Sequence, residues 1–129
     1  MADSSNEVRA TSEMKIHDDV TIDELRAILA EVSASSSAEG AHIRGHSFYL
    51  DEEARILFAH EHYADADAML RHLKEMDQDK IGQLMSTVDV LDLRIYGPMN
   101  DELHGLLEGF GSVRTFDFVS GFTHIGGVR

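Results

Sequence analysis

Four of the chain's eight histidines, His42, His46, His60 and His62, fall in or beside one stretch, GHSFYLDEEARILFAHEHY, residues 45–63. An imidazole titrating near neutral pH can remove the proton of a weakly acidic hydroxyl. A neighbouring guanidinium, Arg44 or Arg94, could then hold the oxyanion left behind. Phe48, Phe58 and Met69 would supply an apolar wall that keeps water out. His60 and His62 also form a His-x-His pair leaving one face of a strand, which is a metal-ligand spacing. No third ligand with a recognisable motif follows it, so no metal site is expected. The alternative for these histidines is a polar sheet surface, or an interface lining between protomers.

Two apolar runs joined by Asp51-Glu52-Glu53 read as a hairpin, with strands over 41–50 and 55–63. His42, Arg44, His46 and Phe48 share a face by period-two alternation, as do Phe58, His60 and His62. An odd-length loop brings the two sets together, and an even-length loop places them on opposite faces. The tip carries no Asn-Gly or Asp-Gly, which argues against a two-residue turn and leaves three and four residues open.

Around this hairpin the chain alternates strands and helices. Val8, Ala10, Met14 and Ile16 alternate with polar residues and predict a first strand with one buried face. Thr21 stands three residues before Glu24, the spacing of a capping box. Ile22, Leu25, Ile28, Leu29 and Val32 then make one helical stripe. The run 33–40, SASSSAEG, reads as the end of that helix and a linker. Asp65 can cap a second helix with the stripe Ala66, Met69, Leu70, Leu73 and Met76. His72 meets the apolar wall only if this helix is rotated from its stripe, and is otherwise exposed. A further helical segment follows a short break, and the strand over 90–96 sets Val90, Asp92, Arg94 and Tyr96 against Leu91, Leu93 and Ile95. Asn100 or Asp101 can cap a last helix, and 113–122 reads as a last strand. The order predicts an α+β, ferredoxin-like antiparallel sheet with helices on one face. Residues 1–6 are expected to be disordered, 7–125 to form a single domain, and 126–129 to be a tail. Apolar side chains on both faces of the strands predict a homodimer joined through the open sheet faces.

Bulk composition narrows the partners. Eleven basic against 24 acidic side chains leave a net charge of -13. Such a surface repels polyphosphate backbones and anionic membranes, so neither nucleic acid nor membrane is an expected partner. Cysteine is absent, which excludes disulfides and thiolate chemistry. No basic-then-apolar leader and no span of about 20 apolar residues occurs, so a cytoplasmic protein is expected. No Gly-rich phosphate loop stands between a strand and a helix, and no nucleotide cofactor is expected.

The stretch HSFYLDEEARILFAHEHYADADAMLRHL resembles the core of the antibiotic biosynthesis monooxygenase family, dimeric α+β-barrel proteins that include quinol monooxygenases. Phe48 and Tyr49 occupy its aromatic-rich strand, and Asp51 to Glu53 its acidic turn. Glu61-His62-Tyr63 matches the Glu-x-Trp/Tyr strand end, and His72-Leu73 the helical His-Leu. LDLRIYGPMNDELHGLLEGFG resembles the C-terminal extension of longer members, so the likeness spans roughly residues 7–122. Relatives that degrade haem use a tryptophan and an asparagine beside a histidine. This chain has no tryptophan, and its asparagines, Asn6 and Asn100, lie outside the expected pocket.

The resemblance therefore implies a cofactor-independent monooxygenase acting on a quinol or polyketide-like aromatic small molecule held between sheet and helices. The alternative is a non-catalytic small-molecule-binding or scaffold dimer of the same fold. The resemblance also sets Glu61 and Tyr63 in phase with Leu57, leaving Phe58, His60 and His62 as the alternate set. Phe58 suits a pocket wall, so His60 is the first candidate base and His46 the second. Arg44, Phe48, Phe58, His62, Met69, His72 and Tyr96 form the candidate substrate-binding set, with the Tyr96 hydroxyl at the rim.

Overall fold

The structure, a computed structural model, describes residues 4–124. Expectations for 1–3 and 125–129 lie outside the described residues. Ser4–Asn6 form one 3₁₀ turn, where frayed chain was expected. Five strands follow: β1 (Val8–Ile16), β2 (Ile43–Asp51), β3 (Ile56–Tyr63), β4 (Val88–Tyr96) and β5 (Val113–Phe116). Four helices connect them: α1 (Ile22–Glu39), α2 (Ala66–Glu75), α3 (Gln78–Met85) and α4 (Asp101–Glu108). The sheet order is β2-β3-β1-β4-β5. The first four strands pair antiparallel and give the expected ferredoxin-like arrangement, while β5 joins β4 in parallel. The sheet is thus mixed rather than wholly antiparallel, because α4 returns the chain to the same end of the sheet before β5 begins.

Each helix starts on a side chain that accepts an otherwise orphaned backbone N–H. Thr21 and Glu24 form the expected capping box on α1. Asp65 Oδ1 accepts from Ala68 N at 2.8 Å, and Asn100 Oδ1 from Leu103 N at 2.8 Å. Contrary to the linker reading, α1 runs through the serine-rich segment to Glu39, and Ser36 is buried. Nothing in SASSSAE blocks a helix, and its small side chains allow close packing. The helix stops at Gly40, whose φ of +134° is disfavoured for other residues.

The helix-facing side of the sheet carries two apolar clusters. Val8, Tyr63 and Ile95 gather beneath α2 and α4 with Met69 and Leu103, and Met14, Leu57 and Val88 gather beneath α1 and α3 with Leu25 and Leu84. Two register shifts reset which residues face this side. In β2 the pairing moves from Ile43↔Tyr63 to Gly45↔His62, so Arg44 is an extra residue. Between β1 and β4 it moves from Glu13↔Asp92 to Met14↔Val90, so Leu91 is extra and 56% exposed. A bulge inverts the strict alternation beyond it. Val90 therefore joins Leu93 and Ile95 in the interior, not Asp92 and Arg94 as alternation had placed it. The segment beyond β5 is irregular apart from a single bridge at Thr123, so the last strand is shorter than expected.

Candidate functional site

Between the two clusters, lined by sheet and helices and partly open to solvent, lies a cavity of about 110 Å³. Met14, Met69, Met76, Met85, Phe48 and Phe110 contribute most of its flexible and aromatic wall. An engineered apolar cavity of about 150 Å³ is enough to bind benzene, so this space is of single-ring scale. Its polar groups are few: Ser12, His46, Glu61 and His72. Among the described residues no lysine or arginine lines it.

The β2–β3 loop sets which histidines reach this cavity. Asp51 pairs with Ile56, leaving four loop residues. Asp51 Oδ1 accepts from Ala54 N at 3.0 Å, and Arg55 sits at a φ of 57°. The Arg55 guanidinium holds that tip by donating to the His17 and Val20 carbonyls at 2.6 and 2.5 Å. An even loop pairs Ser47 with His60 and His46 with Glu61. His46 and Phe48 therefore share the cavity face with Ala59 and Glu61.

Phe58, His60 and His62 take the outer sheet face, which reverses the face expected for them. His60 packs edge-on against Tyr49, with ring centroids 5.1 Å apart. The bulge also carries Arg44 out of the His46–Phe48 row. Its Nη1 lies 2.5 Å from the buried carboxylate of Glu7, with His62 Nε2 at 3.1 Å from the same group but off the hydrogen-bond direction. Tyr96 also lies on the outer face, stacked on Phe116 and 3.1 Å from Thr11 Oγ1. Arg94 is paired there with Asp92 at 2.7 Å. The structure thus brings together His46, Phe48, Met69 and His72, and leaves Arg44, Phe58, His60, His62 and Tyr96 on the other side of the sheet.

His72 is buried rather than exposed, at 5% accessibility. Its Nδ1 faces the Glu39 carboxylate at 2.9 and 3.1 Å, and its ring lies 6.5 Å from that of His46 and 5.7 Å from that of Tyr63. His46 Nδ1 is buried with no hydrogen-bond partner, and its ring sits 4.6 Å from Phe48. Burial is the main reason its pKa is lowered; His72 adds to that, while Glu61 and Glu39 oppose it. Tyr63 donates its hydroxyl proton to Glu61. Burial above all, then the Glu61 charge, pushes the phenol pKa well above its ordinary value, so Tyr63 stays a donor. Although Glu39, His42 and His72 are neighbours, among the described residues no group of three or more His, Cys, Asp or Glu is arranged to hold a metal.

The sequence matches no family model and no curated protein. Solved structures match it over most of its length. MupZ from Pseudomonas fluorescens superposes with a TM-score of 0.69 at 20% identity, covering 96% of this chain and 99% of that one. SnoaB, a cofactor-independent oxygenase from Streptomyces nogalater, gives 0.60 at 14% identity over 74% of this chain and 95% of its own. A putative antibiotic biosynthesis monooxygenase from Chloroflexus aurantiacus gives 0.57 at 13%, over 73% and 94%. The chain shares the α+β fold of these proteins.

Within that fold, two carboxylates were not expected at the site. Glu61 entered the sequence reading through the strand-end motif and not as a site residue, yet β3 is an inner strand and Glu61 lines the cavity. The phase of Glu61 with Leu57 and Tyr63 already carried that signal. Glu39 lay in the segment read as linker. The absence of any helix breaker before Gly40 was the signal that could have found it. Among the described residues, no helix is long and apolar enough to cross a membrane.

Proposed function

We propose that this protein is a cofactor-independent monooxygenase that oxidises a small phenolic or quinol-type aromatic in the sheet–helix cavity. The observation that carries this reading is the pair of imidazoles, His46 and His72, opening into a mainly apolar, ring-sized space. Triplet dioxygen reacts poorly with neutral closed-shell organics, so the substrate must first become an electron-rich anion. An imidazole takes the phenolic proton, and the O–H electron pair spreads into the ring. A ring carbon then bonds to dioxygen. One oxygen atom stays on that carbon as a carbonyl. The other leaves as water, carrying the proton taken from the phenol and the hydrogen lost from the ring carbon. The substrate supplies all four electrons, so phenol and dioxygen give quinone and water with no external reductant.

The apolar wall supports this reading by excluding water from the anion. The fold shared with a cofactor-independent oxygenase supports it by analogy alone. His46 and Phe48 also line a surface groove with Arg26, Leu29 and Ser33 of α1, which offers a route in beside the edge strand β2. The working form is proposed to be a homodimer joined through the outer sheet face.

The test is oxygen uptake with a panel of hydroquinones and polycyclic phenols, with and without added metal or chelator. One dioxygen per substrate, unaffected by chelator, is expected. His46→Ala and His72→Ala should each lower turnover by roughly 10²–10⁴-fold if they serve proton transfer. His60→Ala, on the outer face, should cost less than about tenfold. Uptake that appears only with added metal or flavin would overturn the cofactor-independent reading. Ligand-induced thermal stabilisation without turnover would favour a binding module.

A further inference from the structure

Glu39 is a buried carboxylate with its side chain 8% exposed, delivered by the last residue of α1. Both of its oxygens approach His72 Nδ1, and Oε1 lies 3.5 Å from His42 Nε2. His42 makes no aligned hydrogen bond through either ring nitrogen. An ionised carboxylate only accepts, so the hydrogen between Glu39 and His72 belongs to Nδ1. His72 also lines the cavity, and Nε2 is its other ring nitrogen.

Resting on the oxygenation reading above, we propose that Glu39 is the positioning residue of the proton-transfer unit. It fixes His72 with Nδ1–H on the carboxylate and the Nε2 lone pair toward the cavity, which makes His72 rather than His46 the base. When Nε2 takes the phenolic proton, the O–H bond breaks and its electron pair stays on the substrate. The new imidazolium is formed beside a carboxylate already in place, so its charge is compensated without reorganisation. The same proton returns to the departing peroxide oxygen as water leaves. His46 differs: among the described residues nothing engages its buried Nδ1, and burial disfavours its protonated form. A purely structural role explains Glu39 less well, because removing a carboxylate from water is costly and an uncharged helix end would pack as well. The titratable groups facing this unit are Glu39 from α1, His42 from the turn before β2, His46 from β2, and Glu61 and Tyr63 from β3.

The experiment combines imidazole ¹⁵N NMR with kinetics on the full chain. In the wild type His72 should show a single Nδ1–H tautomer, and Glu39→Gln should lose that fixed tautomer. With any quinol that the wild type oxidises, Glu39→Gln should lower kcat on the order of 10²–10⁴-fold, with KM changed less than about threefold. Glu39→Asp should recover part of kcat, and the pH–rate profile should move in Glu39→Gln but not in His42→Ala. If Glu39→Gln fails to fold, the wild-type tautomer and Glu39→Asp still decide. An Nε2–H or mixed His72 tautomer in the wild type overturns the proposal, as does wild-type kcat and pH profile in Glu39→Gln. If no quinol is oxidised at all, the oxygenation reading fails, and the NMR result alone sustains or overturns the dyad.

Discussion

Burial lowers the pKa of His46, so the folded chain binds its proton less readily than the unfolded chain does. The unfolded imidazole titrates near pH 6.5 or so. The stabilisation this gives is fully present above that value and is lost as pH falls through the lower, folded value. Chemical denaturation between pH 7 and 5 should therefore show stability dropping with acid, and His46→Leu should make that acid limb shallower. An unchanged limb would mean that His46 is not desolvated in solution. His46 and His72 could not be told from His60 and His62 by residue type, because all four carry the same ring. What separates them is the parity of a four-residue loop and one helix's rotation. The loop length was left open between three and four in the sequence, where Asp51 and Arg55 give no motif that decides it. The face of Glu61 was legible, since Leu57, Glu61 and Tyr63 are in phase, but its use at a cavity was not.

Elements with strong local signals were read correctly from the sequence: the capped start of α1, the buried face of β1 and the Asp65 cap, while of the two caps left open for α4 the structure uses Asn100. The features that were not legible share a cause. A bulge is fixed by how two strands pair across the sheet, and neither Arg44 nor Leu91 announces one locally. The serine-rich end of α1 is decided by packing, since Ser36 is buried at 4% where a larger residue would not fit as readily. Glycine at 97 shows the same dependence on context. A Cβ there would stand 2.2 Å from the Glu7 carbonyl oxygen, at a φ of +112°. The capping box offers a quantitative check on local stability. Thr21 Oγ1 accepts from Glu24 N at 3.1 Å, and Glu24 Oε2 from Thr21 N at 3.4 Å. Thr21→Ala should cost about 1 kcal/mol in equilibrium denaturation, and Thr21→Ser much less. Because α1 carries Glu39 at its far end, a larger loss would show that the helix folds and docks as one unit.

At the scale of the whole molecule, helices cover one face of the sheet, and among the described residues the other face is bare of helices. The bare face presents Tyr49 at 56% exposure, Phe58 at 38% and Phe116 at 41%, and Phe118, Val119 and Phe122 are exposed in the segment after β5. Its charges are partly compensated locally. Asp92 lies 2.7 Å from Arg94 and 3.1 Å from Arg114, and the two guanidiniums, Arg114 first, hold its carboxyl below the ordinary range. Exposed aromatics among locally paired charges suit a second copy of the same face, because a two-fold interface meets itself. Phe58 stands on β3 in the cross-strand row Tyr49–Phe58–Glu13–Asp92. Phe58→Glu would bring two carboxylates into such an interface, one from each copy, without touching the cavity on the opposite side of the sheet. Sedimentation velocity at micromolar concentration should find the wild type at twice the 14.3 kDa chain mass and Phe58→Glu at the monomer mass. A wild type that sediments as a stable monomer would defeat the sheet-face dimer and leave this apolar face without a partner.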